Sequence, residues 1–188
     1  FNSDLSKLIK RTIKEHKRII FNGNGYDQAW IEEAERRGLS NLKTTPEALP
    51  TLIHPKSVEL FTHHRVFTEH ELHSRYDILL DNYSKTINIE ALTMIDMVNK
   101  QILPSVLAYE NELVELILRK KAISAEITTS PEENLLNRIA KLSECLEKRL
   151  EHLSEQTIAV RKIEDKLELA RAYRERVYTA MNELRLVV

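Results

Sequence analysis

The chain of 188 residues contains one cysteine, Cys145. That excludes an intrachain disulfide framework and any cysteine-built zinc site, and makes a reducing compartment the expectation. Glycine is nearly as sparse: Gly23, Gly25 and Gly38 are the only three, and none follows position 38. Glycine is the usual residue where the backbone needs positive φ. Sandwiches and barrels need tight turns every 8–12 residues or so, which argues against an all-β body. No stretch approaches the eighteen or so consecutive apolar residues of a membrane span, and no basic-then-apolar leader opens the sequence. Charge of one sign is also lacking: 28 basic against 29 acidic side chains give a net charge of −1, without the basic excess of a nucleic-acid binder. Phe1 is not a natural start, so the expectation is a piece excised from a longer protein.

What the sequence does contain is helical periodicity. Leu5, Leu8, Ile9, Thr12, Ile13 and His16 recur at three and four, predicting a helix from about Asp4 to Arg18 with Ser3 as N-cap. Its other side carries Lys7, Lys10, Arg11, Lys14 and Lys17, a solvated face or a surface for an acidic partner. Asp27 opens a short helix with Trp30, Ile31 and Ala34 on one face, closed by Gly38 with Leu39 as its apolar follower. Thr45-Pro46-Glu47 and His54-Pro55-Lys56 each place proline in a helix's first turn, where its missing N–H costs nothing. The apolar residues near them, Leu49, Leu52, Val58, Leu60 and Phe61, are expected to fold onto larger helices, and Thr68 with Glu71 forms a capping box.

From there the apolar ladder runs from Leu72 through Tyr76, Leu80, Ile87, Ile95, Val98, Ile102, Val106, Tyr109 and Leu113 to Ile117. This predicts a helix over about 69–123, kinked rather than ended at Pro104. The thickening of apolar residues over 87–98 predicts cover on more than one side. A second capping box is expected at Ser130-Pro131-Glu132-Glu133. Beyond it a ladder of Leu135, Ile139, Leu142, Leu146, Leu150, Leu153, Val160, Ile163 and Leu167 continues to Leu184. It reads as one long helix over about 131–187 or as two, broken near Asp165–Glu168. The fold class is all-α: an elongated antiparallel helical hairpin or bundle on two long helices, plus short N-terminal helices. The expectation is a single helical domain over 1–188, with short helices and loops over 1–67 and the long-helix bundle over 68–188.

Candidate chemistry is thin. The loop Asn22-Gly23-Asn24-Gly25-Tyr26 has two Asn-Gly pairs with ready access to left-handed backbone, a structural turn or a ligand loop. It lacks the Gly-Lys-Ser/Thr of a phosphate loop and the third glycine of a dinucleotide fingerprint. His63, His64, His70 and His73 cluster, and His70 with His73 at i, i+3 share a helix side. They read as a polar helix start or as a two-histidine surface metal site. A di-iron bundle would need Glu-x-x-His twice, and no histidine has glutamate three positions before it. Cys145 reads as a small hydrophobe within a helix, and Tyr76, Tyr83 and Tyr109 as core aromatics with edge hydroxyls. No serine-nucleophile elbow is present. The residues alone reach no further than a soluble, mostly helical module, with a stand-alone coiled-coil interaction module and a metal- or ligand-sensing helical domain both open.

Longer strings narrow this. The run Thr12-Ile13-Lys14-Glu15-His16-Lys17-Arg18-Ile19-Ile20-Phe21-Asn22-Gly23-Asn24-Gly25-Tyr26 resembles a segment of type III glutamine synthetases. So do Glu33-Ala34-Glu35-Arg36-Arg37-Gly38-Leu39, Asn41-Leu42-Lys43-Thr44-Thr45-Pro46 and Glu71-Leu72-His73-Ser74-Arg75-Tyr76. Lys85 through Met94 and Gln101-Ile102-Leu103-Pro104 continue the likeness over about residues 7–110. It thins after Pro131 to Tyr173-Arg174, Val177, Ala180-Met181 and Leu184-Arg185. The resemblance implies the C-terminal helical region of an enzyme that ligates ammonia to glutamate using ATP and Mg2+ or Mn2+, in a cytoplasmic homo-oligomer. Its implied partners are its own catalytic domain and neighbouring subunits, with neither nucleic acid nor membrane. The family's carboxylate and arginine motifs for metal, ATP and glutamate have no counterpart here. No catalytic or cofactor-binding residue is therefore carried over, and the chain by itself is expected to be inactive.

Overall fold

The computed structural model describes all 188 residues, and every regular element in it is helical, as the periodicity predicts. The chain forms two compact units, Phe1–Lys43 and Thr44–Val188.

In the first unit, α1 (Asn2–Glu15) leads through a 3₁₀ turn at Lys17–Ile19 and an irregular segment to α2 (Gln28–Arg36). The first helix starts earlier than Ser3 could cap it: Phe1 holds the N-cap position with no side-chain hydrogen bond. The end of α2 follows the expected glycine logic. Gly38 takes φ +73°, Leu39 N–H donates to the Ala34 carbonyl at 2.9 Å, and Gly38 N–H donates to that of Glu35 at 2.9 Å. Ala34 is buried, and the Phe21 ring stacks 4.5 Å from Trp30.

The second unit opens with α3 (Thr45–Ala48), a 3₁₀ turn at Leu49–Ile53 and α4 (Pro55–His63). These pack on the long rod that follows, with Pro46 fully buried, although Leu60 stays exposed. The rod comprises α5 (Glu69–Met97), a π-helical turn at Val98–Ile102 and α6 (Leu103–Ile123). It is a continuous helix of 55 residues, about 80 Å long at 1.5 Å per residue. Thr68 and Glu71 cap it reciprocally, as expected. Pro104 does not end it. The missing Pro104 N–H and the bulk of its ring are taken up by the wider π turn just ahead.

After a short loop, α7 (Ser130–Val160) returns. Its N-cap is Thr129, one residue before the expected Ser130, and the Thr129 hydroxyl donates to Glu133 at 2.8 Å. The predicted second rod then divides. The chain turns at residues 161–165 and resumes as α8 (Lys166–Ala172), a π turn at Tyr173–Val177 and α9 (Tyr178–Arg185). The break thus precedes Asp165–Glu168. Asp165 is the N-cap of α8, its carboxylate accepting from Glu168 N–H at 2.8 Å, so that pair starts a helix rather than ending one.

Side-chain pairs give the directions. Lys120–Glu132 and Arg161–Asn88 run α7 antiparallel to the rod, while Arg149–Glu183 and Arg176–Gln156 run α8–α9 antiparallel to α7. Lys166–Asp77 and Tyr173–Asn88 lay α8–α9 parallel to the first half of the rod. The result is a three-helix bundle over that half and a two-helix hairpin beyond it.

The core lies where the three helices meet: Ile87, Ala91 and Val98 from the rod, Leu146, Leu150, Leu153 and Val160 from α7, and Tyr173, Val177, Met181 and Leu184 from the third helix. Small buried residues, Ser84, Ala91, Ala170 and Ala180, permit close approach of the third helix to the rod and α7. The apolar thickening at 87–98 is covered by both neighbours, yet Ile89, Leu92 and Met97 remain exposed. Two other expectations need correcting. Cys145 is exposed rather than packed, one step off the seam held by Leu146. Tyr109 is 45% exposed, because the third helix does not cover its level of the rod.

Candidate functional site

In the first unit the loop at 22–26 is held from within. Asn24 Oδ1 accepts from Tyr26 N–H at 3.1 Å, and Asn24 Nδ2 donates to Asp27 at 2.7 Å. None of Asn22, Gly23, Asn24 or Gly25 takes positive φ, so left-handed backbone is not why this loop carries glycine. Gly23 answers to packing: a Cβ there would stand 2.5 Å from Phe21 Cζ. Tyr26 is fully exposed, and nothing lies within 4 Å of a Cβ built on Gly25.

The anchor of this region is Arg37, which motif reading passed over. Its guanidinium donates to the carbonyls of Arg18 at 3.1 Å and Ile20 at 2.6 Å, lies 5.8 Å from the Trp30 ring centroid, and bonds Glu33. Hydrogen bonds from Arg36 and Arg37 hold the Glu33 carboxyl well below the usual carboxylate range, at about 2. The sequence signal was an arginine four residues after a glutamate at a helix end. Its carbonyl partners lie 17 and 19 residues away and could not be read locally.

The histidines stay apart from any larger donor set. His63 and His64 meet edge to face at 5.1 Å, and His70 and His73 are exposed in the first turns of α5. Nowhere do three or more His, Cys, Asp or Glu side chains converge as a metal site would require. The polar node of the second unit is Asn88, whose Oδ1 accepts from Tyr173 OH at 3.2 Å and Arg161 Nη2 at 3.4 Å. Burial pushes the Tyr173 phenol upward from its ordinary range, so the phenol stays protonated and, with the Arg161 guanidinium, ties the helices together at Asn88.

Exposed apolar surface is the more prominent feature. On α1, Leu5, Leu8, Ile9 and Ile13 are each 44–52% exposed, and no residue of that helix is buried. On the rod beyond the third helix, Tyr109, Leu116 and Ile123 are exposed, as is Leu142 on α7. A cavity of about 330 Å³ opens between Val106 and Tyr109 of the rod and Ile139 and Leu142 of α7. Helical spacing marked these residues as apolar; it could not tell which would find a partner inside the chain.

Fold and surface together define an all-helical module with amphipathic faces left uncovered. Residues 4–121 match the family model described as the glutamine synthetase C-terminal domain, and the chain belongs to that family. A glutamine synthetase of Butyrivibrio fibrisolvens is 41% identical over 181 residues, 96% of this chain and 26% of that protein. A type-3 glutamine synthetase of Dictyostelium discoideum is 40% identical over 112 residues, 60% of this chain and 15% of that protein. A glutamine synthetase of Bacteroides fragilis is 28% identical over 183 residues, 95% of this chain and 25% of that protein. The likeness to type III enzymes read from the strings over 7–110 is therefore borne out, and the chain spans about a quarter of the length of the first of these relatives. No helix is long and apolar enough to cross a membrane.

Proposed function

We propose that this chain serves as the non-catalytic C-terminal scaffold of a type III glutamine synthetase, packing on its own catalytic domain and on neighbouring subunits of a cytoplasmic homo-oligomer. In this reading the whole enzyme ligates ammonia to glutamate with ATP. The nucleotide and Mg2+ or Mn2+ are held by the remainder of that enzyme. The observation that carries the reading is the apolar face of α1. Four large aliphatic side chains are each about half exposed and none is buried, and contiguous apolar surface of this kind marks an interaction site. The four cations on the other side of that helix, Lys7, Lys10, Arg11 and Lys14, hold that side in water and orient the helix with its apolar stripe inward.

The test is made in the intact enzyme. Leu8→Glu with Ile9→Glu alters the α1 face at two positions that are not buried in the chain, and removal of the segment corresponding to 44–188 takes away the bundle. Sedimentation velocity and glutamine formation are measured for both. A smaller assembly or reduced turnover is expected for both variants, while the isolated 188-residue chain forms no glutamine. Native assembly size with full turnover in both variants would refute the scaffold role, as would glutamine formation by the isolated chain.

A further inference from the structure

The hairpin tip beyond the third helix has a pattern that packing inside the chain does not use. Tyr109, Leu116 and Ile123 are spaced seven and seven, and are 45%, 42% and 80% exposed. They lie beside the buried seam of Leu113 and Ile117 that faces α7. Residues seven apart drift by only about 20° per heptad around an α-helix, so these three form one narrow stripe along which a second helix can lie at a shallow angle.

The charges around the stripe are ordered by sign. Glu110, Glu112 and Glu115 precede Leu116, and Arg119, Lys120 and Lys121 follow it. The cations already have partners within the chain: Arg119 with Glu115 at 2.8 Å, Lys120 with Glu132 at 2.5 Å and Lys121 with Glu133 at 2.6 Å. Glu112, exposed and flanking the stripe, has none. A helix that is acidic before its midpoint and basic after it opposes itself when a copy lies parallel, and complements itself when the copy lies antiparallel.

We propose that this face takes the same face of a second copy of the chain, antiparallel, across a two-fold axis at Leu116. Leu116 then meets Leu116 of the second copy on the axis, while Tyr109 meets its Ile123 and Glu112 meets its Arg119, each of these off-axis contacts being made twice as an isologous interface requires. The groove beside Tyr109 and Leu142 is partly closed by the incoming helix. This inference rests on the subunit-packing part of the proposed function and adds the surface, the partner and the symmetry.

The test uses the full 188-residue chain with Cys145→Ser to remove the exposed native thiol. Leu116→Cys is expected to give a disulfide-linked dimer under mild oxidation. Leu118→Cys, 62% exposed on the opposite side of the buried seam, is expected to stay monomeric. By sedimentation equilibrium, Glu112→Lys weakens the dimer about tenfold, Arg119→Glu does likewise, and the double exchange recovers most of the loss. Circular dichroism of each variant confirms that helix content is kept. A chain that dimerises without linking through residue 116, or without recovery in the double exchange, overturns this face and leaves subunit packing elsewhere intact. A chain monomeric throughout the concentration range overturns the self-docking, whether or not the enzyme variants above lose assembly.

Discussion

Leu153 is fully buried at the level where all three helices of the second unit meet. Leu153→Ala removes three carbons from that junction. At about 0.8 kcal/mol per buried methylene the transfer loss is about 2.4 kcal/mol. The vacated volume adds to this, because two flanking helices and α7 itself cannot all close on it, so a total of about 3–4 kcal/mol follows. Against the 5–15 kcal/mol or so that separates folded from unfolded domains, the variant folds but with a much reduced margin. The measurement is urea unfolding followed at 222 nm, where the midpoint should fall with little change in slope. Ile158→Ala is the control: Ile158 is on the same helix and 61% exposed, and its loss should cost less than about 0.5 kcal/mol. Equal costs for the two would mean that the third helix does not dock on α7, and the three-helix core argued above would be wrong.

The other predictions concern the first unit and are read from Trp30, the only tryptophan of the chain. Gly38→Ala places a Cβ on backbone held at φ +73°. It should destabilise the end of α2 by about 1 kcal/mol, seen as an earlier Trp30 fluorescence transition in urea. Because hydrogen bonds from Arg36 and Arg37 hold the Glu33 carboxyl at about 2 in the folded chain, below its ordinary value of 4.5, it binds a proton more readily when unfolded. Its contribution is therefore complete above about pH 5 and is lost as pH falls through 4.5 toward 2. Trp30 emission should change across that window, and Glu33→Gln should flatten the change. A wild-type and variant profile that coincide would disprove the role given to the Glu33–Arg37 clamp.

The sequence alone carried the helical class, the starts of the principal helices and the family likeness. These are local matters. A capping box such as Thr68–Glu71 is complete within four residues, and an apolar ladder states its own period without knowing its partner. Local reading went astray where a neighbour was needed. The break expected near Asp165–Glu168 falls at 161–165, a few residues earlier, and the periodicity that α7 and α8 share does not say where the second of them lies. Tertiary contacts such as those of Asn88 with Arg161 and Tyr173, and of Lys166 with Asp77, show the chain reversing and the third helix lying along the rod. The glycine of the 22–26 loop was attributed to backbone freedom, whereas the ring of Phe21 occupies the space a side chain would need. Which apolar residues are core and which are surface was likewise decided in three dimensions. Leu113 and Leu116 are three apart on one helix, yet one is buried against α7 and the other is 42% exposed. Periodicity sorts residues onto faces, and burial depends on what the rest of the chain brings to each face.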